Sequence, residues 1–275
     1  MLRLRHLLAC LGLALSAAVA AAPVLNAELS LGYDSNLNNG RLGWPERSAA
    51  ELLLAIGLER QRPLGAGLLR GGPRLELHSY DDYPQLSSAR LELAGDYRRR
   101  LGSGLFDPTL MLAAGLALQD YGSRLRDQRE WQLGAAIEQR LSTRLRLRLS
   151  LDGRWQQAGD TVFDLHHHEA GLQLDWTPLR HWTLYGGGRL RQGDFATTGA
   201  SVPAGVTVFA ADDAFVDGEL AYRRPGESRL WNLGLNWGLS PHWALDLQGL
   251  RVHTESRLGT EYRRWQTQLS LLGRF

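Results

Sequence analysis

This sequence carries charged side chains at alternating positions, and such side chains could act together on a solute. Side chains two apart in a β-strand point to the same face. On this basis one face carries Glu138, Arg144, Arg146, Arg148, Glu169 and Asp175, with Glu138 opposite Arg146 or Arg148 across a tight turn. The mixed signs favour ion pairs that rigidify a wet wall. An arginine track that guides anions is the alternative, although a selective pore usually presents a ring of one sign.

Histidines near hydroxyl groups do not predict a catalytic site. His78 and Ser79 are adjacent in a predicted strand, so they point to opposite faces and cannot act as base and nucleophile together. His253 and Glu255 share a face, but no serine follows at a position that would place it beside them. A barrel hydrolase therefore remains an alternative without a complete set of catalytic residues.

A divalent metal site is a further chemical alternative. Asp164, His166 and His168 alternate along the chain, a spacing that could bind such an ion. Neighbouring histidines in a solvated loop are nevertheless commoner than metal sites. The only cysteine, Cys10, lies in an apolar leader, so cysteine ligands and disulfides are not expected in the mature protein. We predict no catalytic, cofactor-binding or metal-ligating residue.

The last eleven residues, 265–275, show the pattern that organises the rest of the chain. Apolar residues alternate with polar or small ones, and the segment ends on Phe275. This is typical of the closing strand of a transmembrane β-barrel, which shows an apolar face to lipid and a polar face to its lumen. At roughly 3.3 Å per residue and a tilt of about 40°, the segment spans about 25 Å, the height of a membrane's apolar band.

Strand counting predicts an all-β, antiparallel up-and-down barrel. Thirteen alternating segments are visible, but single-chain barrels of this kind have even strand numbers. Short turns at 141–144, 177–181 and 239–242 must lie at one end of the barrel, so an even number of strands separates each pair. A weak strand at Gly205 to Ala210 restores this parity. The prediction is therefore about fourteen strands, with twelve as the alternative and with long connections such as 192–203 at the opposite end.

Outward aromatic residues are predicted to form two girdles where lipid headgroups meet the barrel. Trp176, Trp182, Trp237 and Trp243 lie beside the short turns, whereas Tyr33, Trp131, Trp231 and Trp265 lie at the opposite strand ends. A soluble β-sandwich has no reason to place its tryptophans in two bands.

The amino-terminal residues predict export. Arginines precede a short apolar run and then small residues, which is the pattern of a secretory signal peptide over residues 1–22. The barrel then occupies residues 23–275. The net charge is +2, and removing Arg3 and Arg5 leaves the mature chain formally neutral, so no basic patch indicates nucleic acid. These features predict an outer-membrane protein of a Gram-negative bacterium.

Two segments resemble a known family of outer-membrane proteins. Gly32-Tyr33-Asp34-Ser35-Asn36 and the ending Leu269 to Phe275 are similar to the first and last strands of barrels in the surface lipoprotein assembly modifier family. The resemblance implies a fourteen-strand barrel that helps move lipoproteins to the cell surface. Members normally carry a helical-repeat domain ahead of the barrel, which this chain lacks, so a periplasmic repeat protein or a lipoprotein cargo is an expected partner.

A non-enzymatic passage across the outer membrane, for a protein or a polar solute, is the leading functional expectation. A barrel hydrolase of lipase or deacylase type and a structural or adhesive barrel that displays its outer loops are the alternatives. The expected partners are outer-membrane lipid and the barrel-assembly machinery, which would recognise the closing strand through Phe275. No cofactor is expected.

Overall fold

The described residues of this computed structural model are 22–215, 218–257 and 259–275. Most of the predicted signal peptide, residues 1–21, lies outside them. The strands are β1 Val24–Asp34, β2 Ala49–Leu64, β3 Gly67–Tyr80, β4 Ser88–Arg100, β5 Thr109–Tyr121, β6 Gln128–Arg140, β7 Leu145–Ala158, β8 His166–Leu179, β9 Trp182–Gly199, β10 Phe209–Ala211, β11 Leu220–Gly238, β12 Trp243–Ser256 and β13 Glu261–Arg274. Two single 3₁₀ turns, Pro84–Leu86 and Thr161–Phe163, lie in connections. None of the described helices is long and apolar enough to cross a membrane.

Twelve of these strands close into an antiparallel barrel. The last strand pairs with the first from Asn26↔Arg274 to Asp34↔Gln266. Elsewhere in the ring β9 pairs directly with β11, and β10 lies outside the ring. The predicted all-β antiparallel barrel is confirmed. The strand number is the twelve of the alternative and not fourteen.

The strand count from sequence fails at β11. The sequence divides this element into two segments around Pro225, but the structure has one strand of 19 residues. The Pro225 carbonyl accepts a hydrogen bond from the backbone N–H of Arg257, just beyond the end of β12. The hydrogen-bonding side of the Pro225 backbone therefore faces β12 and not β9. The missing proline N–H therefore breaks no pairing with β9. Tyr222, near the start of this strand, is fully buried.

The weak strand predicted at Gly205 to Ala210 does not enter the barrel wall. Only Phe209–Ala211 forms a strand, and it pairs with residues 220–222 at the exposed edge of β11. The connection predicted to begin at residue 192 begins at 200 instead, since β9 continues to Gly199. Loss of the weak strand from the wall and the joining of two segments in β11 reduce fourteen strands to twelve, which is again an even number.

The connections differ between the two ends of the barrel. Residues 65–66, 101–108, 141–144, 180–181 and 239–242 connect strands at one end, which we call the short-turn end. Residues 35–48, 81–87, 122–127, 159–165, 200–219 and 257–260 connect strands at the other, which we call the long-loop end. The three predicted tight turns all fall at the short-turn end.

The barrel carries its apolar side chains outside. Leu31, Leu151 and Leu233 are largely exposed, and Leu233 is the most open at 70%. Ser30 and Glu130, which point inward, are buried instead. A water-soluble protein has the reverse arrangement, whereas a transmembrane barrel needs this one because lipid contacts its outer face.

Candidate functional site

Five of the six predicted charged residues lie on the face of the wall opposite the exposed leucines, and Arg144 does not. Arg146 pairs with Asp175 at 2.7 Å and with Glu138 at 3.5 Å, while Glu138 lies in register with Arg148. Both predicted partners of Glu138 are therefore close to it. Arg144 is the exception, because it precedes the first residue of β7 and lies exposed in the short turn. The arginine ladder within β7 consequently begins at Arg146.

Glu169 lies at the centre of a second charged group. Its carboxylate accepts hydrogen bonds from Arg189 at 3.1 Å and from Arg191 at 2.9 Å. Sequence alternation predicts Arg189 on the inner face, and Arg191 is two residues further along the same strand. Arg191 therefore carries the same period-two signal, and it lies just before the connection predicted at 192–203.

A cavity of about 560 Å³ occupies the middle of the lumen. Its lining comes from β1 to β9 and includes Glu59, Arg70, Arg74, Glu92, Asp96, Gln132, Asp152, Arg154, His167, Glu169, Arg189 and Arg191. Polar residues on facing walls border one space, which is the arrangement of a water-filled interior. We call this space the central cavity.

The two sides of the lumen differ in charge. β1 and β2 contribute the inward carboxylates Glu28, Asp34, Glu51 and Glu59, whereas β7 and β9 contribute the inward arginines Arg146, Arg148, Arg154, Arg189 and Arg191. In the ring of twelve strands β1 lies opposite β7. The inward carboxylates Asp152, Glu169 and Asp175 lie among these arginines, and Glu130 and Glu138 approach them from β6.

A smaller cavity of about 270 Å³, which we call the vestibule, lies at the long-loop end. Its polar lining includes Asn39, Arg154, Gln156, His167, Arg191 and Arg264. Arg154, His167 and Arg191 also line the central cavity, so they stand where the two spaces meet.

An extension of β9 and β11 lies across the long-loop end. Pairing of β9 with β8 begins at Gly193, and pairing of β11 with β12 begins at Gly226. Beyond these positions β9 and β11 pair only with each other and with β10, over about 20 Å at about 3.3 Å per residue. We call residues 194–215 and 218–225 the tongue.

A buried ion pair ties the tongue to the β5–β6 connection. Arg126 donates two hydrogen bonds of 2.8 Å to the two carboxylate oxygens of Asp212, which are also bonded by the Thr198 hydroxyl. The Arg126 guanidinium packs on Phe163 of the β7–β8 connection, 4.2 Å from the ring centre. We call the pair Arg126–Asp212 the latch.

Further contacts join the tongue to other sides of the rim. Phe215 packs edge-on against Tyr83 in the β3–β4 connection, with ring centres 5.2 Å apart. On another side the Asn38 side chain donates to the Thr198 carbonyl at 3.2 Å, and the Asn39 side chain donates to the Ala196 carbonyl at 2.9 Å. Since β3 and β4 lie opposite β9 and β11 in the ring, the tongue crosses the mouth of the barrel.

A glycine pair marks the base of the tongue. Gly193 and Gly226 are partners in the register of β9 and β11. Gly193 has φ +148°, and a Cβ there would lie 2.1 Å from the carbonyl oxygen of His166. A Cβ on Gly226 would meet the Phe195 ring at 2.4 Å. No other residue type fits this close approach of backbones without displacing a strand.

The outward aromatic residues lie at the predicted strand ends. Trp176, Trp237 and Trp243 are exposed near the short-turn end, where Trp182 stacks on Trp237 with ring centres 5.2 Å apart. Tyr33, Trp131, Trp231 and Trp265 are exposed toward the long-loop end. Phe275 packs edge-on against Trp243 at 5.3 Å. Contact of these rings with lipid headgroups, and the role of Phe275 in assembly, stay predictions.

The candidate metal and catalytic residues have other partners. His166 pairs with Asp194 at 2.8 Å, and the His168 ring packs edge-on against Trp155. His253 lies 3.2 Å from the Glu261 carboxylate. Among the residues that the structure describes, no group of three or more histidine, cysteine or acidic side chains could hold a metal ion.

The architecture is that of outer-membrane β-barrels. An outer-membrane channel from Pseudomonas putida F1 matches with a TM-score of 0.59 at 13% identity, covering 94% of this chain and 97% of that one. The NanC porin matches with a TM-score of 0.53 at 9% identity, covering 90% of this chain and 100% of that one. No protein-family model matches the chain, and no curated protein matches it in sequence. The similarity therefore concerns the fold.

Proposed function

We propose that this protein is a non-enzymatic channel of the outer membrane that gives small polar solutes a water-filled passage. The observation that carries the proposal is the charged central cavity of about 560 Å³ inside a closed wall whose leucines face outward. Lipid requires such closure and such an exterior, and a polar interior holds water. The shared fold with a channel and a porin supports the same assignment.

Barrel size is consistent with this proposal. Eight strands leave an interior that side chains fill, while sixteen to eighteen leave a wide aqueous channel. Twelve strands lie between these limits. A passage of this width suits small solutes better than a folded protein.

The tongue gives the proposed channel a cover at the long-loop end. Its contacts reach the β1–β2, β3–β4, β5–β6 and β7–β8 connections, so a solute entering from this end meets it first. Steady conduction then requires the tongue to leave the mouth, and the latch opposes that movement.

Conductance in planar bilayers tests the proposal. The full chain is compared with a variant in which a short glycine-containing turn replaces residues 200–219, and with a control shortened at 101–108 on the short-turn end. We expect rare openings from the full chain and from the control, and steady current from the variant without the tongue tip. A folded variant that carries no current would overturn the channel proposal.

The family resemblance implies that lipoproteins are the cargo of the passage, and lipoprotein translocation would extend the proposal. In that case a periplasmic repeat protein supplies recognition, residues 1–22 direct export, and the assembly machinery inserts the barrel through its final strand. Surface exposure of a reporter lipoprotein, measured by protease accessibility on intact cells with and without this protein, tests the extension. Equal exposure in both strains would leave only the solute channel.

A further inference from the structure

Two arginines and a histidine define the place where the vestibule meets the central cavity. Arg154 on β7, His167 on β8 and Arg191 on β9 line both spaces. These strands are neighbours, and Arg154 is in direct register with His167. A solute that passes from one cavity to the other must move past this group, which we call the arginine step.

The carboxylates Glu169 and Glu130 near the arginine step are each shared between two arginines, while Asp152 and Asp194 also line the two cavities. Glu169 is shared between Arg189 and Arg191, so one negative charge faces two positive ones. Glu130 lies 2.8 Å from Arg90 but 3.7 Å from Arg154, and the Arg154 side chain stays 44% exposed. Guanidinium donors are therefore left for a ligand at this level of the lumen.

A buried arginine at the base of the tongue extends the positive region. Arg224 is 1% exposed, and its one hydrogen bond is a long contact of 3.3 Å from Nη2 to the Thr197 hydroxyl. Within the described part of the chain, its Nε and Nη1 atoms have no hydrogen-bond partner, nor does the nearby Tyr222 hydroxyl. A buried cation with free donors lowers its energy when an anion approaches, because burial has removed its water. Phe195, which packs on Arg224, also lines the vestibule.

We propose that the arginine step is a binding site for small anions, and that carboxylate or phosphate groups are the solutes this channel selects. Guanidinium groups present paired donors that match the two oxygens of such groups. This inference rests on the proposed channel function and names its substrate class.

The ion selectivity of the Asp212→Asn variant, in which the latch is broken, tests the inference. The chloride-to-potassium permeability ratio is obtained from the reversal potential in a KCl gradient, before and after Arg154→Gln and Arg191→Gln are introduced together. We expect a ratio above one that falls about 16-fold, because two unit charges about 10 Å from an ion in water change the Boltzmann factors of chloride and of potassium about fourfold each, in opposite directions. Arg70→Gln is the control, because Arg70 lines the central cavity but not the vestibule, and it bonds Asp96, which it shares with Arg98, at 2.8 Å.

A channel that conducts without anion preference, or whose ratio is unaffected by the double substitution, overturns the inference and leaves the channel proposal intact. Binding supplies a second readout that needs no current. Phosphate and acetate should raise the melting temperature of the folded protein relative to chloride at equal ionic strength. This increase should disappear in the Arg154→Gln/Arg191→Gln variant and persist in Arg70→Gln. Equal melting temperatures in all three anions would also overturn the anion site.

Discussion

Replacing Asp212 by Asn should release the tongue from the mouth of the barrel. The Asp212 side chain is fully buried, and it accepts both hydrogen bonds of the latch from Arg126. Removing one partner of a buried ion pair costs about 3–5 kcal/mol, because the other charge stays buried without compensation. Asp213 lies 3.4 Å from the same guanidinium and compensates in part, so we expect the lower end of this range.

A loss of about 3 kcal/mol corresponds to a shift of about 150-fold in the equilibrium between covered and open mouths. Single-channel recording measures this shift as the ratio of open to closed time. Asp213→Asn is the matched control. It removes the same charge from the next residue, which is 48% exposed, and should change the ratio by less than about fivefold. Equal open times in the Asp212→Asn, Asp213→Asn and unmodified proteins, all with intact barrels, would refute the latch.

Three further outcomes follow from the same structure. Burial alone raises the pKa of the Asp212 carboxyl, but the hydrogen bonds and charge of Arg126 outweigh burial and hold that pKa below its usual range. The latch therefore stabilises the covered mouth fully above about pH 4 and is lost only as the pH falls through the lowered pKa. The open time of the channel should be constant from about pH 7 to 5 and rise below about pH 4. A rise already at pH 6 would contradict this. Gly193→Val places a side chain against a backbone carbonyl and should lower the melting temperature measured by circular dichroism, whereas Gly249→Ala, which has open space, should not. Phe275→Ala should reduce the heat-modifiable barrel recovered from outer membranes while the purified protein still refolds, and unchanged recovery would remove Phe275 from the assembly signal.

The wall of the barrel could be predicted from sequence because each strand carries its own signal. Alternation places Leu233 outside and Asn232 inside without knowledge of any neighbour. The tight turns and their parity are equally local. The strand count failed at Pro225, because the sequence does not show that the proline, which lacks an N–H, lies where its hydrogen-bonding side faces the end of β12 and not β9.

The tongue could not be predicted, because its contacts join residues far apart in the chain. Asn38 and Thr198 are separated by 160 positions, and Arg126 and Asp212 by 86. Neither pair has a period or motif that marks it. Arg191 belongs to a different case: its alternation with Arg189 is visible in the sequence, but its shared partner Glu169 lies on another strand and carries no local signal.

Cysteine labelling along β11 tests most directly the central claim that water fills the barrel while lipid covers its outside. Single cysteines replace each residue from 230 to 237 in turn, and the protein in lipid vesicles is treated with a charged, water-soluble thiol reagent. The account predicts labelling at 232, 234 and 236, which face the lumen, and protection at 233 and 235, which face lipid. Equal labelling at odd and even positions, or labelling of the odd positions alone, would contradict it.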